Sequence, residues 1–110
     1  MTPGEAEAEA EAQAKLEEYR LLIDDVDRRI VALLNERTKV VEDISRVKLV
    51  AHLPVYEPKR EDLVFANVTS ANQGPLTAQA VRGIFERIID ASRSIQRLRM
   101  SQKPPEEPKC

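Results

Sequence analysis

The sequence predicts an all-α fold of three helices, the first of them very long, and three observations carry that prediction. Between Leu16 and Ala51 there is neither proline nor glycine. Over that stretch the apolar positions Leu16, Tyr19, Ile23, Val26, Ile30, Leu33, Val40, Ile44, Val47 and Ala51 advance by steps of three and four with one interruption, as one face of a helix requires. Two later stretches repeat the period, and the breaks fall where Pro54, Pro58, Gly74 and Pro75 stand. No run of β-branched or aromatic residues alternates with polar ones as a half-buried strand does.

From the N-terminus, residues 1–15 form an acidic extension in which Pro3 and Gly4 precede a Glu/Ala run from Glu5 to Ala14. Ala and Glu favour helix and acids suit a helix N-terminus, but the run has no apolar stripe to bury. A frayed, solvated extension of the first helix is expected there. Residues 16–100 form the helical domain. A helix from Leu16 to Ala51 spans about 50 Å, against a radius of gyration of about 13 Å for a compact chain of this length, so its own chain cannot cover it alone. Pro54 ends it. Pro58 suits the first turn of a second helix with Glu57 near the cap; Leu63, Val64, Ala66 and Val68 follow, and the turn signal Asn72-Gln73-Gly74-Pro75 stops it. Thr77 can cap a third helix, whose apolar stripe is Val81, Ile84, Phe85, Ile88, Ala91, Ile95 and Leu98. Residues 101–110, with Pro104, Pro105 and Pro108, are expected as a disordered, Pro-rich tail.

A chain of 110 residues makes one domain. Seventeen Lys and Arg against 19 Asp and Glu leave a net charge of −2, which offers no electrostatic case for nucleic acid or an anionic membrane as partner. Any anion binding must be local. The lone Cys110 excludes an intramolecular disulfide. No apolar run approaches the ~20 residues of a membrane span, and the N-terminus lacks a signal-peptide pattern, so the expected location is the cytoplasm. No glycine-rich phosphate loop and no metal-ligand cluster is present, so neither cofactor nor metal is expected.

One position interrupts the apolar series of the first helix: the step after Leu33 delivers Arg37. A cation in that seam needs a carboxylate or a bound anion, so Arg37 is either a structural ion pair or half of a binding site. Lys48 follows 11 residues later, about 20° from three complete turns and about 16 Å along the axis. The two cations share a face and can converge on a small anion. Arg20 lies about 100° away around the helix and suits such a pocket only across a dimer. Glu57, Arg60 and Glu61 share one face at the start of the second helix, either as an acidic cap with a surface ion pair or as pocket groups. Ser92 and Gln96 put a hydroxyl and an amide on the side of the third helix that carries Phe85 and Ile88, where polar groups need partners. His52, the one histidine, has no Ser or Cys nucleophile nearby in sequence. Arg93, Arg97 and Arg99 read most simply as a solvated cluster that favours a helix C-terminus. Cations, a carboxylate and neutral donors, without nucleophile or metal, suit a small dicarboxylate whose reaction needs shape and charge stabilisation.

The order Tyr19-Arg20, Ile23-Asp24, Val26-Asp27, Leu33-Leu34, Glu36-Arg37, Val47-Lys48, Pro54-Val55-Tyr56-Glu57, Arg60-Glu61, Ile88-Ile89, Ser92 and Gln96 resembles the all-helical (AroQ-class) chorismate mutases, from about Leu16 to Leu98. The resemblance implies an intertwined homodimer in which the long first helices pair and each of two active sites takes residues from both chains. It implies the cofactor-free [3,3] rearrangement of chorismate to prephenate in phenylalanine and tyrosine biosynthesis. Arg37 and Lys48 would contact the substrate carboxylates, with Arg20 reaching in from the partner chain. Lys48 and Gln96 would donate to the ether oxygen that gains negative charge as the C–O bond breaks. Glu61, with backbone at the start of the second helix, would hold the ring hydroxyl; Ser92 would bond a carboxylate, and Arg60 would support the pocket wall and its charge. Glu57 stands where many relatives have Asp, so the contact carried over there is the backbone's. Gln96, unlike the Glu of fungal members, needs no proton in order to donate, which predicts activity little changed between about pH 6 and 8. Catalysis then consists of selecting the compact diaxial conformer and stabilising a polarised transition state.

Two other readings stay open on the residues. An isochorismate-pyruvate lyase of the same fold also uses an arginine and lysine pocket, although Glu61 and Ser92 favour the mutase. A non-catalytic helical dimerisation or regulatory module would pair Arg37 with an acid in the seam and leave no cavity lined by Lys48 and Gln96. The Pro-rich tail also fits a linker, and the chain fits a mutase domain joined to, or bound by, a partner enzyme of the aromatic pathway. No effector domain is recognisable, so feedback inhibition within this chain is not expected.

Overall fold

The computed structural model describes residues 2–102. It contains helices α1 (Pro3–Ala51), α2 (Pro58–Ala71) and α3 (Ala78–Ser101) and, among the described residues, no strand. The Pro-rich tail expected from the sequence lies, from residue 103 onward, outside the described residues, as does Cys110. No helix among the described residues is long and apolar enough to cross a membrane. The chain divides into two compact units, one ending at Arg37 and the other starting at Thr38.

In the first unit, α1 starts at Pro3, so the Glu/Ala run is regular helix instead of a frayed end. The cause is a capping box that the apolar period does not reveal. Thr2 Oγ1 accepts from the Glu5 amide at 3.2 Å while the Glu5 carboxylate accepts from the Thr2 amide at 3.1 Å, and Pro3 fills the first helical position. Exposed ion pairs at Lys15–Glu18 and Asp25–Arg29 add a few tenths of a kcal/mol each at most. Leu16, Tyr19, Ile23, Val26, Ile30 and Leu33, the apolar seam of the sequence, are all exposed.

In the second unit, α1 ends where His52 takes a left-handed conformation at φ 56°. The Leu53 amide then reaches back to the Lys48 carbonyl at 2.8 Å, the long bond of a Schellman cap. Histidine is among the non-glycine residues that adopt this conformation most readily. Glu57 is the N-cap of α2 with Pro58 behind it, and its side chain makes no capping bond. Thr77 caps α3 by accepting from the Ala80 amide at 3.1 Å. Between α2 and α3, the Gly74 amide donates to Asn72 Oδ1 at 3.0 Å and Asn72 Nδ2 donates to the Leu76 carbonyl at 2.7 Å. Gly74 holds φ at 78°, a value that costs glycine little.

Packing within this unit follows from three contacts. Glu42 meets Arg99 at 2.8 Å and Lys48 meets Gln96 at 2.8 Å, so the last turns of α1 pair with α3 in opposite chain order. The Arg82 guanidinium covers the Phe65 ring at 4.2 Å and ties α3 to α2. The buried residues differ from the apolar stripes of the sequence. On α1 they are Val41, Ser45 and Lys48, whereas Val40, Ile44 and Val47, one residue out of phase, are exposed. On α3 they are Val81, Ile89, Ser92 and Gln96, whereas Ile84, Ala91 and Leu98 are exposed. Among the described residues, the buried set holds three apolar side chains and four polar ones. An interior with that balance is not sustained by hydrophobic burial alone, and its polar members have partners: Ser45 and Ser92 donate to the Val41 and Ile88 carbonyls one turn back, and Lys48 donates to Gln96.

Candidate active site

Lys48 sits in the last turn of α1 with its side chain 7% exposed. An ammonium has three protons and no acceptor, and each proton meets a different group: the Gln96 Oε1 at 2.8 Å, the Val55 carbonyl at 3.1 Å and a Glu57 carboxylate oxygen at 2.7 Å. Because Lys48 can only donate, it must face the oxygen of the Gln96 amide. The Gln96 NH₂ is thereby turned the other way, as a donor directed away from the cation. Of the three acceptors, Val55 offers backbone and Gln96 is buried, while Glu57 is 48% exposed. The Glu57 carboxylate is the one an incoming anion can replace.

Beside this cluster stands a second. Glu61, on the first turn of α2, presents both carboxylate oxygens to Arg93 of α3, Oε2 at 3.0 Å from Nε and Oε1 at 3.3 Å from Nη2. The Nε contact is close but poorly aligned, so that buried N–H has no linear acceptor and the attraction there is mainly ionic. Asp90 reaches Arg93 Nη2 at 3.2 Å, and the Tyr56 ring lies 5.7 Å below the guanidinium carbon. Arg93 is therefore not one of a solvated C-terminal cluster, as the sequence suggested. Its place on the helix explains the difference: it falls four residues after buried Ile89 and three before buried Gln96, so it shares their face. That spacing was visible in the sequence and outweighs the run of neighbouring arginines. Arg99 is also paired, with Glu42.

The two clusters form one circuit. Lys48 joins Glu57, one turn of α2 joins Glu57 to Glu61 through the Glu61 amide and Glu57 carbonyl at 3.0 Å, Glu61 joins Arg93, and one turn of α3 leads to Gln96 and back to Lys48. Ser92 is buried on the same side of α3 and donates its hydroxyl to the Ile88 carbonyl at 2.9 Å; to donate to a carboxylate it must rotate and exchange that bond. Arg60 is exposed on the first turn of α2 and enters neither cluster. Arg20 and Arg37 belong to the first unit, where Arg20 is exposed and Arg37 half-buried. Among the described residues no group of three His, Cys, Asp or Glu side chains is placed to hold a metal ion.

Fold and site together define a three-helix protein whose helices meet at a buried ammonium–amide pair next to an exchangeable carboxylate. The sequence profile of chorismate mutase type II matches residues 19–97, and the chain belongs to that family. It is 34% identical over 87 residues to a bifunctional chorismate mutase/prephenate dehydratase of Aquifex aeolicus, an alignment covering 76% of this chain and 24% of the relative. The chain thus spans about a quarter of the length of the bifunctional relatives it matches. Among solved structures, the form II chorismate mutase of Thermus thermophilus superimposes with a TM-score of 0.73 at 35% identity, covering 76% of this chain and 94% of that one. The Helicobacter pylori chorismate mutase, determined in complex with prephenate, shares the fold with a TM-score of 0.76 at 24% identity, over 83% of this chain and 99% of that one.

Proposed function

We propose that this chain, as a homodimer with shared sites, converts chorismate to prephenate by the [3,3] rearrangement. The observation that carries this reading is the orientation of Gln96 by Lys48. In the reaction an ether C–O bond breaks as a C–C bond forms, and the ether oxygen gains negative charge. Once the substrate has displaced Glu57 from the ammonium, a buried cation and an amide N–H oriented by it stabilise that charge. No proton transfer, nucleophile or metal is required. The carboxylates of the substrate replace Glu57 on Lys48 and engage Arg37, Arg20 of the partner chain, and Ser92. Glu61 and the α2 backbone at Glu57 take the ring hydroxyl, and Arg60 adds positive potential at the rim.

The dimer is supported by exposed apolar side chains of α1 from Leu16 to Leu33 together with Val40, Ile44 and Val47, at helical spacing and too many for a surface that faces only water. A second copy offers the same stripe. Because the bifunctional relatives carry a prephenate dehydratase on the same chain, an enzyme that consumes the product is the expected partner.

The test follows chorismate consumption by the full chain, with the product identified. Prephenate formation that falls at least about 10²-fold in Lys48→Ala, or roughly 3 kcal/mol of transition-state stabilisation, is the expected result. Turnover unchanged by that substitution overturns the mechanism, and pyruvate release from isochorismate as the main activity favours the lyase. Native mass measurement is expected to give a dimer, and a fully active monomer refutes the shared site.

A further inference from the structure

We infer that Arg93 is a positioning residue for the reaction proposed above: it fixes the Glu61 carboxylate, by contact with both its oxygens, in the orientation that accepts a substrate hydroxyl. The inference rests on that functional reading and extends it to a side chain that nothing in the sequence motif marks.

Glu61 is on a flexible three-torsion side chain at the start of a helix, where a free carboxylate samples several rotamers. In this fold it has one. Arg93 approaches along its Nε and Nη2 edge, with both carboxylate oxygens between 3.0 and 3.3 Å away; Nη2 makes the hydrogen bond and the poorly aligned Nε adds an ionic contact, two contacts from one rigid group that the single ammonium of a lysine does not reproduce. An ionised carboxylate offers about four lone-pair sites. Arg93 uses those on one edge, so those on the outer edge remain for a hydroxyl donor.

The guanidinium is itself fixed. Asp90 holds Nη2 at 3.2 Å from one helical turn back, and Tyr56 lies beneath it. Glu61 is therefore held against a frame belonging to α3 and the α1–α2 connection, and it does not carry Arg93 with it. The same turn of α3 carries Gln96, so the hydroxyl acceptor and the ether-oxygen donor are referenced to one rigid element. Arg93 also offsets a second difficulty. A dicarboxylate must enter a site that already holds the Glu57 and Glu61 carboxylates, and a cation against Glu61 reduces that repulsion.

A purely structural role for Arg93, as a tie between α2 and α3, makes different predictions. That tie already exists in the Arg82–Phe65 contact. Moreover, the hydroxyl keeps all its bonds in the rearrangement and carries none of the charge that develops on the ether oxygen, so losing its acceptor weakens substrate and transition state alike and acts mainly on KM.

The experiment compares wild type, Arg93→Met, Arg93→Lys, Glu61→Gln and the Glu61→Gln/Arg93→Met double variant in the full chain, with thermal unfolding recorded for each. Expected is a rise in KM of about 10- to 50-fold in Arg93→Met with kcat within about threefold, about a 3- to 5-fold rise in Arg93→Lys, and a double variant no worse than Glu61→Gln alone. A lowered Tm with KM within about twofold of wild type overturns the inference, as do effects of the two substitutions that multiply. If Arg93→Met does not fold, Arg93→Lys decides: an unchanged KM in that variant overturns the inference. A wild-type protein that does not convert chorismate removes both the functional reading and this extension of it, whereas an active wild type with an indifferent Arg93 removes the extension alone.

Discussion

Lys48 and Arg93 are the most deeply buried cations among the described residues of the second unit, yet their charges are compensated in opposite ways. Lys48 is almost wholly enclosed and meets a carbonyl, an amide oxygen and one carboxylate that is itself half exposed. Arg93 is more open, at 29%, but its main partner Glu61 is less exposed than Arg93, at 18%, and Asp90 adds a second acid. The first cluster is open on one side and can trade an internal anion for an external one. The second is held by the sheltered Glu61, with the exposed Asp90 outside it, and holds shape. Burial of a charge therefore does not by itself mark a binding cation; the exposure of its counter-ion does.

The largest effect that tests this contrast is the loss of Lys48. Lys48→Ala removes the ammonium and leaves the buried Gln96 amide oxygen and the Val55 carbonyl without that donor, so kcat should fall about 10²- to 10³-fold with Tm lowered by several degrees, as steady-state assays and thermal melts would show. A variant that stays folded at the assay temperature and keeps wild-type kcat would mean that the open cluster is structural only.

Gln96→Glu tests the direction of the amide. The deprotonated carboxylate of that variant accepts where the Gln96 amide donates and adds negative charge beside the developing oxyanion, so kcat/KM should fall about 10²-fold at about pH 8. Activity should then recover as the pH is lowered toward about 5 and the protonated, donating form becomes populated, given a reference carboxyl value of about 4.3. The wild type should be flat over the same range; a sloping wild type and a flat variant would reverse the assignment.

Glu61→Gln probes the second cluster. It leaves Arg93 with Asp90 as its one acidic partner, and a loss of about 1 to 2 kcal/mol of stability is expected, seen as a Tm lowered by several degrees, together with a fall in kcat/KM of about 50-fold, no smaller than that of Arg93→Met. The smallest effect belongs to Glu57→Gln. Removing the exchangeable carboxylate relieves competition for Lys48, so KM should fall about two- to fivefold with kcat little changed; a rise in KM would show that Glu57 assists binding through its side chain.

Much of this was legible in the sequence because it is local. The helix count, the stop before Pro54, the Glu57-Pro58 start of α2 and the Thr77 cap all follow from residues within a few positions of one another. The start of α1 was equally local but was obscured: Thr2 and Glu5 form their capping box inside a stretch whose Glu/Ala composition suggested fraying. The polar residues proposed for the site, Lys48, Glu57, Glu61, Ser92 and Gln96, could be chosen from the sequence, while Arg93 was hidden in a run of arginines that looked like solvated surface.

By itself, the sequence determined three helices, their ends apart from the start of α1, the family, and a set of polar side chains in unexpected places. Only the tertiary structure decided which face of each helix turns inward. Successive residues differ by about 100° around a helix, and α1 carries apolar side chains at Val40, Ile44 and Val47 as well as at Val41. Periodicity cannot choose between adjacent faces when both are usable. Contact with α3 makes the choice: it brings Val41, Ser45 and Lys48 inside and sets Lys48 on the oxygen of an amide 48 residues away. It also places Glu61 against Arg93, a pairing no local pattern specifies, because each finds the other only after two helices have packed.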